Sequence, residues 1–299
     1  MENISPERKK TTLTKKSLLF VLVLLAFVGV STIATEWMIQ QGTDNRIGIV
    51  DITGVIQSSQ NIIKQIKSFR NDKHIRGIIL RIDSPGGAVG PSQEIYDEVL
   101  KTRKSGKIIY ASMGTLAASG GYYIASAADQ IFANPGTLTG SIGVIMAFSN
   151  AQGLLEKIGL KPEIIKAGKY KDIGSPTRSM NQIEKSLLQD VVTDVHQQFI
   201  EAIANGRGMS IAEITKIADG RIFTGRQAYS LKLVDQLGGL QATIGQLTAK
   251  AGIIGAPNVI REKPNTGLLD WVLKTEISPS IVGYLPSPSL QYTWHLDSL

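Results

Sequence analysis

From Arg46 to Ile56 the chain reads R-I-G-I-V-D-I-T-G-V-I, a near-continuous apolar run of the kind expected for a strand buried on both faces. Ile62, Ile63, Ile66 and Phe69 follow at helical spacing on one face. Ile75–Ile82 reads as a second strand, running into Asp83-Ser84-Pro85-Gly86-Gly87, a turn dense in glycine. A helix over 92–103, with Ile95 and Leu100 on its apolar side, leads to a strand at 107–111 and then to Gly114-Thr115-Leu116-Ala117-Ala118-Ser119-Gly120-Gly121-Tyr122-Tyr123. Further on, the pattern predicts a helix over 122–127, strands over 131–133, 141–148 and 163–167, and a helix over 152–158. Repeated strand–helix alternation predicts an α/β fold with largely parallel strands.

From Asn181 the period lengthens. Ile183, Leu187, Val191, Val195 and Phe199 mark one face of a long helix ending near Asn205-Gly206, and shorter helices are expected at 210–218, 225–232 and 239–251. Residues 256–299 are expected to form a C-terminal tail, cut into short pieces by Pro264, Pro279, Pro286 and Pro288. The pattern divides the chain into a basic segment (1–16), an apolar segment (17–37), a linker (38–45), an α/β domain (46–255) and the tail.

The apolar segment contains 19 uncharged residues, Ser17–Thr35, long enough at 1.5 Å per residue to cross a hydrocarbon core of roughly 30 Å. Arg8, Lys9, Lys10, Lys15 and Lys16 precede it, which predicts a transmembrane anchor with a cytoplasmic N-terminus and an exported domain. Trp37 suits the interfacial position. A cleaved signal peptide is the competing reading, with Ala34-Thr35-Glu36 as a weak processing site.

The 299 residues are 42% hydrophobic, enough for a substantial core, and contain no cysteine, which excludes disulfides, a thiol nucleophile and thiolate metal sites. The net charge is +7, and three of those charges fall within residues 1–16; no clustered basic face marks the remainder for nucleic acid.

In the serine stretch, small residues let the backbone bend sharply and leave the Gly120 N–H able to donate to an oxyanion, although close packing of a helix on a sheet accounts for them equally well. His74, His196 and His295 are poorly placed for a triad, and no metal-binding spacing occurs. A lysine can replace histidine as base if its pKa, ordinarily about 10.4, is brought near 7, which takes roughly 4–5 kcal/mol. The turn-rich segment Ala167-Gly168-Lys169-Tyr170-Lys171-Asp172-Ile173-Gly174-Ser175-Pro176 offers candidates, though neighbouring lysines are commonly solvated surface.

Together, Asp83-Ser84-Pro85-Gly86-Gly87, Ala118-Ser119-Gly120-Gly121-Tyr122-Tyr123, Thr139-Gly140-Ser141-Ile142-Gly143-Val144 and Gly168-Lys169-Tyr170-Lys171 resemble the signal peptide peptidase A serine proteases, similar in fold to Clp protease and the crotonase superfamily. The likeness spans about residues 46–250 and makes 46–255 a peptidase domain of repeated strand–helix superhelix with a C-terminal helical part. The resemblance implies Ser119 as nucleophile, Lys171 as general base with Lys169 its rival, and Ser141 orienting the lysine. Gly86, Gly87 and Gly120 are implied to supply the oxyanion hole, and no cofactor or metal is implied. The chain carries one copy of each motif, like the short members, so the resemblance implies a homo-oligomeric ring with Ser119 and Lys171 contributed by neighbouring subunits. Its implied work is hydrolysis of remnant signal peptides or other unfolded apolar peptides at the exported side of a bacterial inner membrane. A crotonase-like acyl-CoA enzyme and an inactive membrane scaffold of the same fold are the alternatives.

Overall fold

The computed structural model describes residues 20, 22–33, 45–261 and 291–293. The chain divides into two compact units, Met1–Asn45 and Arg46–Leu299. In the first, residues 20 and 22–33 are helical and their apolar side chains, Phe20 and Phe27 among them, are exposed. Among the described residues no helix is long and apolar enough to cross a membrane. The expected anchor over 17–37 is only partly described; the basic segment, most of the linker and most of the tail lie outside the described residues.

The second unit is built on an eight-stranded sheet. Strands β1 (Arg46–Thr53), β2 (Ile75–Ser84) and β4 (Ile108–Ala118) lie at its centre, joined by helices α1 (Gln60–Asn71) and α2 (Val89–Lys104), with the short β3 (Gly86–Ala88) just before α2. Past β4 come α3 (Gly120–Ser126), β5 (Gln130–Ala133), β6 (Leu138–Gly140), α4 (Gln152–Lys157), α5 (Gln182–Arg207) and α6 (Ile211–Thr215). The remaining elements are β7 (Ile222–Thr224), α7 (Gly225–Ser230), β8 (Gln236–Leu237), α8 (Leu240–Lys250), β9 (Asn258–Arg261) and β10 (Gln291–Thr293). The strand order is β7-β6-β4-β2-β1-β9, with β5 beside β4 and β8 beside β5; every pairing is parallel except β6 with β7.

Period-2 alternation divides the core between the sheet's two faces. Val50, Ile52, Ile78, Leu80, Ile82, Ile109 and Ala111 join the larger cluster with residues of α1, α2, α3 and α5, whereas Ile47, Ile49, Ile79 and Tyr110 pack with Leu247 and Ala251 around α8. Each fully buried large side chain contributes about 1.5–3 kcal/mol, so the central strands form a rigid platform.

β4 positions the site. The sequence predicts a strand over 107–111 only, yet β4 continues to Ala118 and uses one edge twice: Tyr110–Ser112 pair with β5 and Leu116–Ala118 with β6. Its register against β2 shifts between Ile82 and Ser84, and the Asp83 carboxylate fills the irregularity, accepting a hydrogen bond from the Leu116 amide at 3.1 Å. This long-range brace holds Gly114–Ala118 extended. The glycine turn differs too, because Gly86–Ala88 form β3.

Two expected strands are absent. Residues 141–148 hold no strand and make a single bridge, Ile145 to Gln291, and residues 163–167 are irregular with Ile164 and Ile165 exposed. Both segments have strand-like apolar runs but lack a continuous partner among the described residues. Helix α5 forms as expected from Asn181, whose side chain and Glu184 make a capping box. Val195 and Phe199 of its apolar stripe are buried, whereas Ile183, Leu187 and Val191 are 56%, 40% and 44% exposed.

Candidate active site

Ser119 stands between β4 and α3 with φ 54° and ψ −118°. Such a backbone costs about 1–3 kcal/mol for a non-glycine residue. The surroundings hold it there: the Ser119 amide donates to the Gly140 carbonyl at 2.8 Å, and Tyr122 and Ile124 of α3 are fully buried, with the Tyr122 hydroxyl donating to the Leu233 carbonyl at 2.9 Å. Those two side chains, at about 1.5–3 kcal/mol each, offset the strain. The Ser119 hydroxyl is buried and has no hydrogen-bond partner among the described residues. A strained, unpartnered hydroxyl is poor structural design and apt for a nucleophile.

The three expected oxyanion-hole glycines converge beside it. A Cβ on Gly86 would lie 2.7 Å from the Gly120 amide nitrogen, and a Cβ on Gly120 would lie 3.3 Å from the Gly87 amide nitrogen and 2.7 Å from Ser92 Oγ. Gly86 has φ 99°, and Ser84 braces it, its hydroxyl accepting from the Gly86 amide at 3.1 Å and donating to the Gly54 carbonyl at 2.6 Å. Ser141 is brought close as well: it follows β6 as Ser119 follows β4, and has φ 51°.

Neither Lys169 nor Lys171 hydrogen-bonds to Ser119. Lys169 and Lys171 lie in a run of tight turns in which the Lys171 amide donates to the Gly168 carbonyl and the Ile173 amide to Tyr170, and both side chains are exposed. Lys169 Nζ lies 5.3 Å from the centre of the Tyr170 ring. The Asp172 carboxylate next in sequence receives Arg178 Nε at 2.7 Å and Lys166, and Arg178 also grips Glu184 through both terminal nitrogens at 2.8 and 2.6 Å. Arg178, then Lys166, hold the Asp172 carboxyl well below the usual range; Arg178, then the Asn181 amide, draw Glu184 down to about 2. The lysine loop is thereby fastened to the first turn of α5. Burial lowers the pKa of Lys107, but it donates to the Asp72 and Ile75 carbonyls from the far end of β4, roughly 40 Å of strand from Ser119.

Of the histidines, His196 lies in α5 with a buried Nε2 that has no hydrogen-bond partner among the described residues, and His295 is outside them. No acidic, histidine or cysteine cluster suited to a metal occurs among the described residues.

One occupant of the site was not foreseen. β10 runs antiparallel to β3, with Tyr292 opposite Gly87 and Thr293 opposite Gly86, while Gln291 exchanges both backbone hydrogen bonds with Ile145 at 3.2 and 3.1 Å. The far side of β3 is secured by Ile56, so an extended segment is held between β3 and residue 145. The Tyr292 side chain is fully buried between Tyr123 and Phe199. No local signal in the sequence marks a three-residue strand whose partner lies some 200 positions away.

The profile of Peptidase family S49 matches residues 101–253, which include Ser119, Ser141 and Lys171. A Synechocystis sp. protein named as a protease is 43% identical over 204 residues, covering 68% of this chain and 73% of that protein. An Enterococcus faecium protein named for signal peptide peptidase SppA is 33% identical over 265 residues, covering 84% and 77%. The chloroplastic serine protease SPPA of Arabidopsis thaliana is 36% identical over 247 residues, covering 81% of this chain but 36% of its own length.

Proposed function

The chain belongs to peptidase family S49 and is a serine peptidase of that family, and on that premise we propose that it hydrolyses unfolded apolar peptides, remnant signal peptides among them, with a Ser119–Lys171 dyad. The observation that carries the reading is Ser119 itself, a buried, unpartnered hydroxyl on a strained backbone beside converging glycine amides. Ser119 Oγ attacks the peptide carbonyl while a neutral Lys171 amine takes its proton, and the oxyanion forms against the Gly120 and Gly87 N–H groups. The lysine then returns the proton to the leaving amine, leaving an acyl-serine. Water attacks the ester, again through the lysine, and releases the acid and the free serine.

The dyad is completed between subunits of a homo-oligomeric ring. Support comes from exposed apolar side chains that precede and follow the lysine loop in the chain, Leu154, Ile158, Leu160 and Ile165 before it and Ile183, Leu187 and Val191 after it. Ser141 orients the incoming amine. The Clp protease/crotonase-like superhelix and a peptidase domain over 46–255 accord with the parallel-rich sheet. Residues 17–37 anchor the protein in a bacterial inner membrane with the N-terminus cytoplasmic and the domain exported, a reading supported by the uncharged run and the five basic residues before it.

The test is fluorogenic peptide hydrolysis by the full chain in detergent with Ser119→Ala, Lys171→Ala and Lys169→Ala. Loss in the first two with retention in the third is expected; activity in either of the first two sinks the dyad.

A further inference from the structure

We propose that Arg178 is a positioning residue for the base: by binding Asp172, the residue that follows Lys171, it fixes where the lysine amine is presented to the serine of a neighbouring subunit. The inference rests on the shared Ser119–Lys171 reading and adds to it a residue that acts on the lysine through the backbone.

Every residue from Glu156 to Lys171 is exposed, so burial does not fix the lysine itself. The change comes one position later, where the Asp172 side chain is only 10% exposed, and the Glu184 side chain facing it across Arg178 only 3%. Arg178 has all five of its N–H groups engaged. Nε donates to the Asp172 carboxylate at 2.7 Å, Nη1 to Glu184 and to the Ser179 carbonyl at 2.8 and 3.2 Å, and Nη2 to Glu184 and to the Asp172 carbonyl at 2.6 and 3.3 Å. Both the side chain and the carbonyl of the residue bonded to Lys171 are thereby held. Glu184 is itself fixed in the first turn of α5, where it accepts from the Asn181 amide at 3.0 Å.

The loop is tied from its other side as well. A Cβ on Gly174, which has φ 76°, would lie 2.3 Å from the Phe148 ring, and the Ala151 amide donates to the Pro176 carbonyl at 2.7 Å. Without the guanidinium, Glu184 is left as a buried carboxylate with no cation, and Asp172 keeps only Lys166. A lysine in its place supplies a charge but no planar fork, and so satisfies one carboxylate at a time. For a general base, displacement by about 1 Å costs on the order of 100-fold in rate, which makes this clasp a determinant of catalysis as well as of folding.

Mixed assemblies of full-length chains in detergent test this. A chain with Ser119→Ala donates only the lysine to a shared site, and a chain with Lys171→Ala donates only the serine. Adding Arg178→Met to the lysine donor is expected to lower peptide hydrolysis by the mixture about 100-fold with KM little changed, whereas adding it to the serine donor lowers it less than about twofold. Arg178→Lys on the lysine donor is expected to recover part of the loss. Equal losses from the two donors overturn the proposal, showing that the clasp serves the fold of the whole chain, and no loss from either overturns it too. An inactive mixture of the two parent variants overturns the shared dyad instead. Arg178→Met in the otherwise unaltered protein then decides the clasp: a fall in kcat at constant KM, partly recovered by Arg178→Lys, supports it, and unchanged kcat overturns it.

Discussion

Ser119 and Ser141 stand one residue beyond the same rung of two neighbouring strands: Ala118 of β4 pairs with Gly140 of β6, and the serines that follow have φ 54° and 51°. The Ser119 amide closes the rung on the Gly140 carbonyl. Two serines of positive φ therefore stand side by side at adjacent strand ends.

The proposed role of Ser141 in orienting the base predicts that Ser141→Ala lowers kcat about 10–100-fold with little change in KM. Steady-state kinetics on a single fluorogenic peptide check it. An equal rise in KM would place Ser141 in substrate binding.

Sharing of the dyad predicts complementation. Ser119→Ala and Lys171→Ala are each inactive alone, but equal amounts dissociated and reassembled together regain about a quarter of wild-type activity, because that fraction of sites receives an intact serine from one subunit and an intact lysine from the next. Mixtures as inactive as their parents would contradict it.

The exposed start of the α5 stripe predicts an assembly defect. Leu187→Asp introduces a charge into apolar surface between Ile183 and Val191, and is expected to reduce the mass of the detergent-solubilised particle and remove activity together. Light scattering with a parallel peptidase assay reads both. Unchanged mass would move the subunit contact elsewhere.

Gly120 has no room for a side chain. Gly120→Ala places a methyl 2.7 Å from Ser92 Oγ and, if the Gly120 amide is an oxyanion donor as proposed, is expected to lower kcat by about 100-fold or more by displacing it. Adding Ser92→Gly removes that clash and is expected to restore part of the loss. Failure of the second substitution to help would mean that the flanking Gly86 and Gly87 contacts decide the cost.

The Arg178–Glu184 clasp carries a pH signature. Glu184 is drawn down to about 2, so its contribution to stability is fully present above the ordinary carboxylate pKa of about 4.3 and is lost as pH falls from there toward 2. Arg178→Met is expected to lower Tm at neutral pH, and the gap to wild type should narrow across that acid window. A gap of constant size from pH 6 to pH 2.5 would show that the clasp acts through packing alone.

Most helices and the central strands were legible because their signals are local. The 3.6-residue spacing of Ile66 and Phe69 in α1 and the cap at Asn181 are properties of a few consecutive residues. Segments 141–148 and 163–167 read as strands for the same reason, but a strand also needs a partner's hydrogen bonds, which apolar composition does not supply. Asp83 bracing Leu116 and Arg178 fastening Asp172 to Glu184 join residues whose separate appearance in the sequence carries no sign of the contact.

The sequence by itself determined the α/β alternation, the uncharged N-terminal run and the small-residue stretch around Ser119, each set by neighbouring residues. Tertiary structure alone decided that Ser119 is strained and unpartnered, that Gly86, Gly87 and Gly120 face one small volume, and that Tyr292 fills an aromatic cage beside them. Those relationships depend on β4 pairing with β2 and β6, and on β10 returning to β3. Each is a contact between segments distant along the chain, stabilised by burial and hydrogen bonds that exist only once the sheet has formed.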